Sequence, residues 1–216
     1  MAISAVVAVG SVGDTLIDKL RERTQQLKVG TSMTEGMDMG PLITAAHRDR
    51  VRGYVETGVK EGAALVVDGR GLKVPDGESG FFMGACLFDR VTADMAIYKD
   101  EIFGPVLVVL RAETLDDAIA LVNRNPYGNG TAIFTSSGAA ARRFETEIEV
   151  GMVGVNVAIP VPMAFFSFGG WKQSLFGDLH AYGMESVWFY TRTKAITARW
   201  PKQDAKGGGF MMPTLG

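Results

Sequence analysis

Cysteine is almost absent from this chain of 216 residues. Cys86 stands alone, so no internal disulfide and no paired-cysteine metal site can form. Histidine is scarce too. His47 and His180 are the two present, and a histidine-based metal centre is not expected. No His-Glu-x-x-His run and no Walker motif occur, and no Gly-x-Gly-x-x-Gly follows a strand. Basic clusters are lacking: 22 Lys and Arg against 24 Asp and Glu leave a net charge of −2, which argues against a nucleic-acid partner. No apolar run approaches the roughly 18 residues that a membrane helix needs, so no membrane partner is expected. The opening MAISAVVAVGSVGDT has an apolar core but no basic stretch before it, unlike a signal peptide.

What is present suits a globular chain. Hydrophobic residues make up 47% and charged ones 21%, and the length allows one large domain or two small ones. Ala5–Val9 reads as a strand, followed by a helix capped by Asp14 with Leu16, Leu20 and Leu27 on one stripe. After a Gly- and Met-rich loop, Val51, Val55 and Val59 recur at helical spacing within Ile43–Lys60. Ala63–Val67 reads as a strand and Phe81–Val91 as mainly extended. Val106–Leu110 is apolar at every position, which predicts a strand buried on both faces. Thr114 and Asp117 form a capping box, with Asp where Glu or Gln is usual. NPYGNG then ends that helix. Thr131–Thr135 and Met152–Val157 read as strands around a helix opened by Ser136 or Ser137. A helix over Ala181–Tyr190 and a strand over Ala195–Trp200 close the pattern. Strands alternate with helices, so the fold class is α/β with a mostly parallel sheet.

Two carboxylates, Asp100 and Glu101, stand before Gly104-Pro105 and the buried strand, in YKDEIFGPVLVVL. From the residues alone they are either a solvated turn or a ligand contact at a strand end. Four separated stretches then carry a resemblance. DEIFGPV, NPYGNGTAIFT, VGVNVAIPVPMAFFSFGGWKQS and FYTRTKAITARWP together resemble the aldehyde dehydrogenase superfamily. The variant NVAIPVP, with FSFGGWKQSLFGDLHAYG, is similar to its coenzyme A-acylating branch, the methylmalonate- and malonate-semialdehyde dehydrogenases. The likeness runs from Met1 to about Pro201.

The resemblance implies an NAD- and CoA-using reaction. A cysteine thiolate attacks the semialdehyde carbonyl, hydride passes to NAD, and CoA takes the acyl group from the resulting thioester. It implies that Glu101 holds the nicotinamide-ribose hydroxyls and that Phe103 packs near the nicotinamide. Ile159, Phe166 and Phe168 would line the substrate tunnel, in a loop where Ala158 replaces the family's proline. Core filling remains the alternative for Phe103, Phe166 and Phe168. Cys86 does not match the nucleophile motif and has no adjacent histidine or cation in sequence. It reads as a small buried hydrophobe. Lys172 reads as a solvated surface lysine, and His47 and His180 as surface or structural residues.

The resemblance also implies that the Gly-Gln-Arg-Cys nucleophile motif, the oxyanion-hole asparagine and the Rossmann domain precede Met1. The expected organisation is an incomplete catalytic domain over 1–190, an oligomerisation strand over 191–201 and a flexible tail over 202–216. Such a chain is expected to be inactive alone and to bind no cofactor by itself. Three alternatives stand beside this reading: a non-catalytic module that oligomerises through Ala195–Trp200, another aldehyde dehydrogenase branch, and a start set within a longer reading frame. The partners implied are a small-molecule aldehyde and copies of this chain or full-length subunits. The compartment is cytoplasmic, or the mitochondrial matrix in a eukaryote.

Overall fold

The computed structural model describes residues 3–75, 77 and 79–200; residue 201 and the expected tail 202–216 lie outside the described residues. The elements run in this order: strand β1 (Ala5–Val9), a 3-10 turn (Gly10–Val12), helix α1 (Gly13–Gln26), α2 (Ala45–Lys60), β2 (Ala64–Val67), β3 (Cys86–Asp89), α3 (Ala96–Lys99) and β4 (Val106–Ala112). There follow α4 (Leu115–Asn123), β5 (Tyr127–Gly128), β6 (Gly130–Ile133), α5 (Gly138–Glu147), β7 (Met152–Val155), β8 (Trp171–Lys172) and α6 (Glu185–Tyr190).

The main sheet has the order β1-β4-β3-β2. β4 pairs in parallel with both β1 and β3, as the apolar run predicts. β2 pairs antiparallel with β3, so the sheet is mixed. Two small sheets stand apart from it, an antiparallel β5-β8 pair and a parallel β6-β7 pair.

The period of two along β4 sorts its side chains onto two faces. Val106, Val108 and Leu110 join Val51 and Val55 of α2, Ile97 of α3, and Cys86 and Phe88 of β3. Val109 and Leu107 point the other way, toward Ile17, Leu16 and Leu20 of α1 and Leu87 of β3. A third cluster of Ile119, Phe144, Ile148 and Val150 joins α4 to α5.

The same alternation explains the buried charge at the α1 face. Asp89 of β3 is 6% exposed, and Arg111 of β4 donates to it through Nε at 2.9 Å and Nη2 at 2.7 Å. Arg111 Nη2 also reaches Asp14 of α1 at 3.0 Å. Asp14 is therefore not the cap expected of it. The helix starts at Gly13 with no side-chain cap, and the Asp14 carboxylate turns to the guanidinium. Gly13 makes this possible, because a Cβ there would fall on the Arg111 guanidinium. Leu27 lies just past α1 and is 44% exposed.

Other expectations shift by a few residues for local reasons. α2 starts at Ala45 because Thr44 Oγ1 caps it, accepting from the His47 N–H at 3.1 Å. The capping box of α4 forms as read, with the Asp117 carboxylate accepting from the Thr114 N–H at 3.1 Å. Ser137 caps α5. β7 stops at Val155 because Asn156 turns to φ +56°, and its side chain continues the pairing through both backbone groups of Thr135. α6 begins at Glu185 rather than Ala181, since Gly183 has φ +64°. The expected strand over Ala195–Trp200 does not form. These residues pair with no strand among the described residues, and a strand exists only through hydrogen bonds to a neighbour.

The Arg111 fork holds the Asp89 carboxyl below its ordinary range. Its folded value thus lies below its unfolded one. The stabilisation is complete above about pH 4 and is lost as the pH falls through the folded value. Asp89→Asn is expected to cost about 2 to 3 kcal/mol at pH 7, because Arg111 loses its buried partner. Urea unfolding at pH 7 and pH 3 should show the gap between variant and parent shrinking in acid. An equal gap at both values would contradict this account.

Candidate active-site cleft and aromatic loop

The DEIFGPV stretch links α3 to β4. Ile102 is 8% exposed and anchors the stretch in the core, while Glu101 before it and Phe103 after it face outward. Phe103 is 78% exposed and adopts φ +56°, a left-handed conformation that an aromatic residue rarely takes. Two contacts hold it. His47 Nε2 lies 2.8 Å from the Phe103 carbonyl and donates to it, since that oxygen can only accept. Gly104 packs directly on α2, where an added Cβ would stand 2.7 Å from Val51 Cγ2.

The result is an open cleft of about 640 Å³. α2 contributes His47, Arg50 and Tyr54; the loop contributes Asp100, Glu101 and Phe103. Tyr54 Oη donates to Asp100 Oδ2 at 3.1 Å, and the Arg50 guanidinium sits 5.4 Å from the centre of the Tyr54 ring. A hydrogen bond to Tyr54 raises the Arg50 pKa, so Arg50 stays charged. Asp100 is thus committed to Tyr54. Glu101 is exposed and has no hydrogen-bond or ion-pair partner among the described residues. The cleft therefore offers a free carboxylate beside an exposed aromatic ring, with a fixed cation nearby.

Arg50 and Tyr54 carry no motif, and His47, expected as a surface or structural residue, is structural through its bond to Phe103. Their spacing of three and four residues puts them on one stripe of α2, beside the buried Val51 and Val55. That stripe was the available signal, but nothing in the sequence says that it faces the DEIFGPV loop.

The expected tunnel residues lie elsewhere and share no lining residue with this cleft. Ile159 is 42% and Phe166 59% exposed. Phe166 lies against Phe165 at 4.7 Å between ring centres, and Phe168 meets Tyr182 edge-on at 5.5 Å. Phe168 is half-buried.

Lys172 is not a free surface lysine. Its side chain is 23% exposed, with Nζ 2.6 Å from the Asn123 carbonyl, 3.3 Å from that of Asn125 and 3.2 Å from Glu149 Oε2. It caps the C-terminal end of α4, where carbonyls lack helical partners and a cation is favoured. His180 is also structural, bonded to Ser167 and Glu185. No group of three or more His, Cys, Asp and Glu side chains able to hold a metal occurs among the described residues.

The sequence matches the aldehyde dehydrogenase family over residues 1–196, and the chain belongs to that family. It is 58% identical to a malonate-semialdehyde dehydrogenase of Pseudomonas aeruginosa, over 100% of this chain and 44% of that protein. It is 52% identical to a probable acylating, mitochondrial methylmalonate-semialdehyde/malonate-semialdehyde dehydrogenase of Drosophila melanogaster, over 100% of this chain and 42% of that protein. Among solved structures it resembles a putative methylmalonate-semialdehyde dehydrogenase of Sinorhizobium meliloti complexed with NAD. That likeness has a TM-score of 0.90 and 52% identity, over 94% of this chain and 42% of the other. The chain thus spans less than half the length of these relatives.

Cys86 is 1% exposed, and its sulfur accepts from the Gly69 N–H at 3.2 Å. Burial pushes its thiol pKa up, which disfavours the reactive thiolate. A thiol reagent such as Ellman's reagent should label Cys86 slowly in the native protein and quickly in urea. Fast native labelling would contradict the burial account.

Proposed function

We propose that this chain supplies part of the active site of an NAD-dependent, coenzyme A-acylating dehydrogenase of malonate or methylmalonate semialdehyde. The observation that carries the reading is the unpartnered Glu101 carboxylate beside the exposed Phe103 ring. The two oxygens of a free carboxylate can accept from two adjacent ribose hydroxyls, and the ring offers a flat apolar surface to a nicotinamide. The residues present therefore fit NAD, which accepts the hydride when bound. Glu101 and Phe103 orient it, and His47 holds the Phe103 backbone. Ile159, Phe166 and Phe168 line the path of the aldehyde. The names of the relatives support this substrate class, and that of the Drosophila relative an acylating reaction.

The buried Cys86 does not serve as nucleophile. The attacking cysteine comes from outside these 216 residues, so the isolated chain does not turn over aldehyde or hold NAD firmly. Cytoplasmic placement, or the mitochondrial matrix in a eukaryote, goes with this reading. No helix among the described residues is long and apolar enough to cross a membrane.

The test uses the full chain alone and as a chimera in which it replaces the matching segment of the Pseudomonas aeruginosa relative. NADH should form from malonate semialdehyde with the chimera and not with the chain alone. In the chimera Glu101→Gln should raise KM for NAD by about tenfold or more, the effect of losing charge-assisted hydrogen bonds. An unchanged KM for NAD would reject the ribose contact, and turnover by the chain alone would reject the external nucleophile.

A second reading has its own observation. Val187, Trp188, Phe189 and Tyr190 of α6 are each about half exposed or more, and Ile196 and Trp200 are 80% and 91% exposed. So much apolar surface favours association, and residues 195–200 are free to pair as a strand with another copy or a full-length subunit. Light scattering after size exclusion should give a mass above 23.2 kDa, falling toward the monomer with Ile196→Asp. A strict monomer at high concentration would reject this reading.

A further inference from the structure

Ser167, His180 and Glu185 form a polar cluster remote from the cofactor-facing cleft. Ser167 Oγ bonds to His180 Nδ1, and Ser167 Oγ lies 3.2 Å from Glu185 Oε2. The same carboxylate oxygen accepts the His180 backbone N–H at 3.0 Å and lies 3.2 Å from His180 Nδ1. The three side-chain atoms are therefore all within reach of one another. A proton must sit on Nδ1, because otherwise the imidazole and carboxylate lone pairs would face each other. The cluster is no hydrolytic triad. A triad needs the hydroxyl and the carboxylate on opposite ring nitrogens, and here both crowd Nδ1. Its role is mechanical.

Ser167 stands between the two aromatics assigned to the tunnel. On its far side, Phe168 meets Tyr182, three residues before Glu185. Two glycines let the segments close. A Cβ on Gly169 would run into the His180 imidazole, and one on Gly183 would stand 2.8 Å from the Phe165 carbonyl. The His180 side chain is only 13% exposed, while Ser167 itself lies at the surface.

We infer that Ser167, His180 and Glu185 are positioning residues that latch the aromatic loop 163–168 to the start of α6. By doing so they set the apolar wall that Phe166 and Phe168 present to the substrate chain. The inference rests on the tunnel reading above, but the latch itself can be tested without it.

Hydrogen exchange on the full chain reads the latch directly. In His180→Ala, the Phe166 amide, which donates to the Met163 carbonyl at 2.9 Å within the loop, should exchange about tenfold faster, with the amides of β3 and β4 unchanged. His180→Asn, whose amide nitrogen can donate from near the Nδ1 position, should restore slow exchange. Ser167→Ala removes a single hydroxyl and serves if His180→Ala does not fold. In the chimera, His180→Ala should raise KM for the semialdehyde several-fold while kcat and KM for NAD hold. Unchanged loop exchange overturns the latch. Equal acceleration in β3 and β4 overturns it too, by showing a general loss of stability. A loosened loop with unchanged aldehyde KM overturns the positioning role and leaves the Glu101 result untouched.

Discussion

Val106, Val108 and Leu110 need an apolar cover on one face of the sheet, and Leu107 and Val109 need another on the opposite face. A strand of this kind cannot stand at a wet surface, because it has no polar side to turn outward. The demand of β4 for two covers organises the rest. It draws α2 and α3 over one face and α1 over the other. It also holds β4 between β1 and β3, with its backbone paired in parallel on both sides.

What lies at the two ends of β4 then follows from where the strand must run. At its entrance, Ile102 is pulled inward and Gly104 is pressed on Val51, so Glu101 and Phe103 have nowhere to go but out. The left-handed backbone at Phe103 is the local cost of that sharp entry, and the His47 bond to its carbonyl offsets part of it. At its exit, Arg111 emerges on the α1 face and meets Asp89 and Asp14. The pair is nearly dry on the aspartate side, where a bidentate fork satisfies both carboxylate oxygens. One strand thus carries an exposed loop at one end and a structural clamp at the other.

The second half of the chain is held differently. Its strands are short, and side chains do much of the joining that long ladders do in the main sheet. Lys172 closes the end of α4, and Asn123 joins α4 to the end of α5 by donating to the Glu147 carbonyl and accepting from the Glu149 N–H. Asn156 extends the β6-β7 pair, and the Ser167–His180–Glu185 cluster binds the aromatic loop to α6. Polar joints of this kind have strict geometry, which suits a segment proposed to shape a substrate path.

Periodicity and caps are local properties, and they were readable residue by residue. The buried character of β4, the valine stripe of α2, the capping box at Thr114 and Asp117, and the inert Cys86 all follow from neighbours a few positions apart. The motifs also single out Glu101 and Phe103, and the structure turns both outward. Partners distant in sequence were not readable. Asp14 looked like a cap until Arg111, 97 residues away, claimed it. Lys172 looked solvated until the carbonyls of α4 came within its reach, and His47 and His180 had no visible role until they met the Phe103 carbonyl and Ser167. The strand expected at Ala195–Trp200 shows the same division, since an extended sequence becomes a strand only when another backbone lies beside it. Short-range side-chain patterns encode which segments are helix, strand or turn. Which polar atoms meet is decided only when the packed sheet brings remote segments within hydrogen-bonding distance.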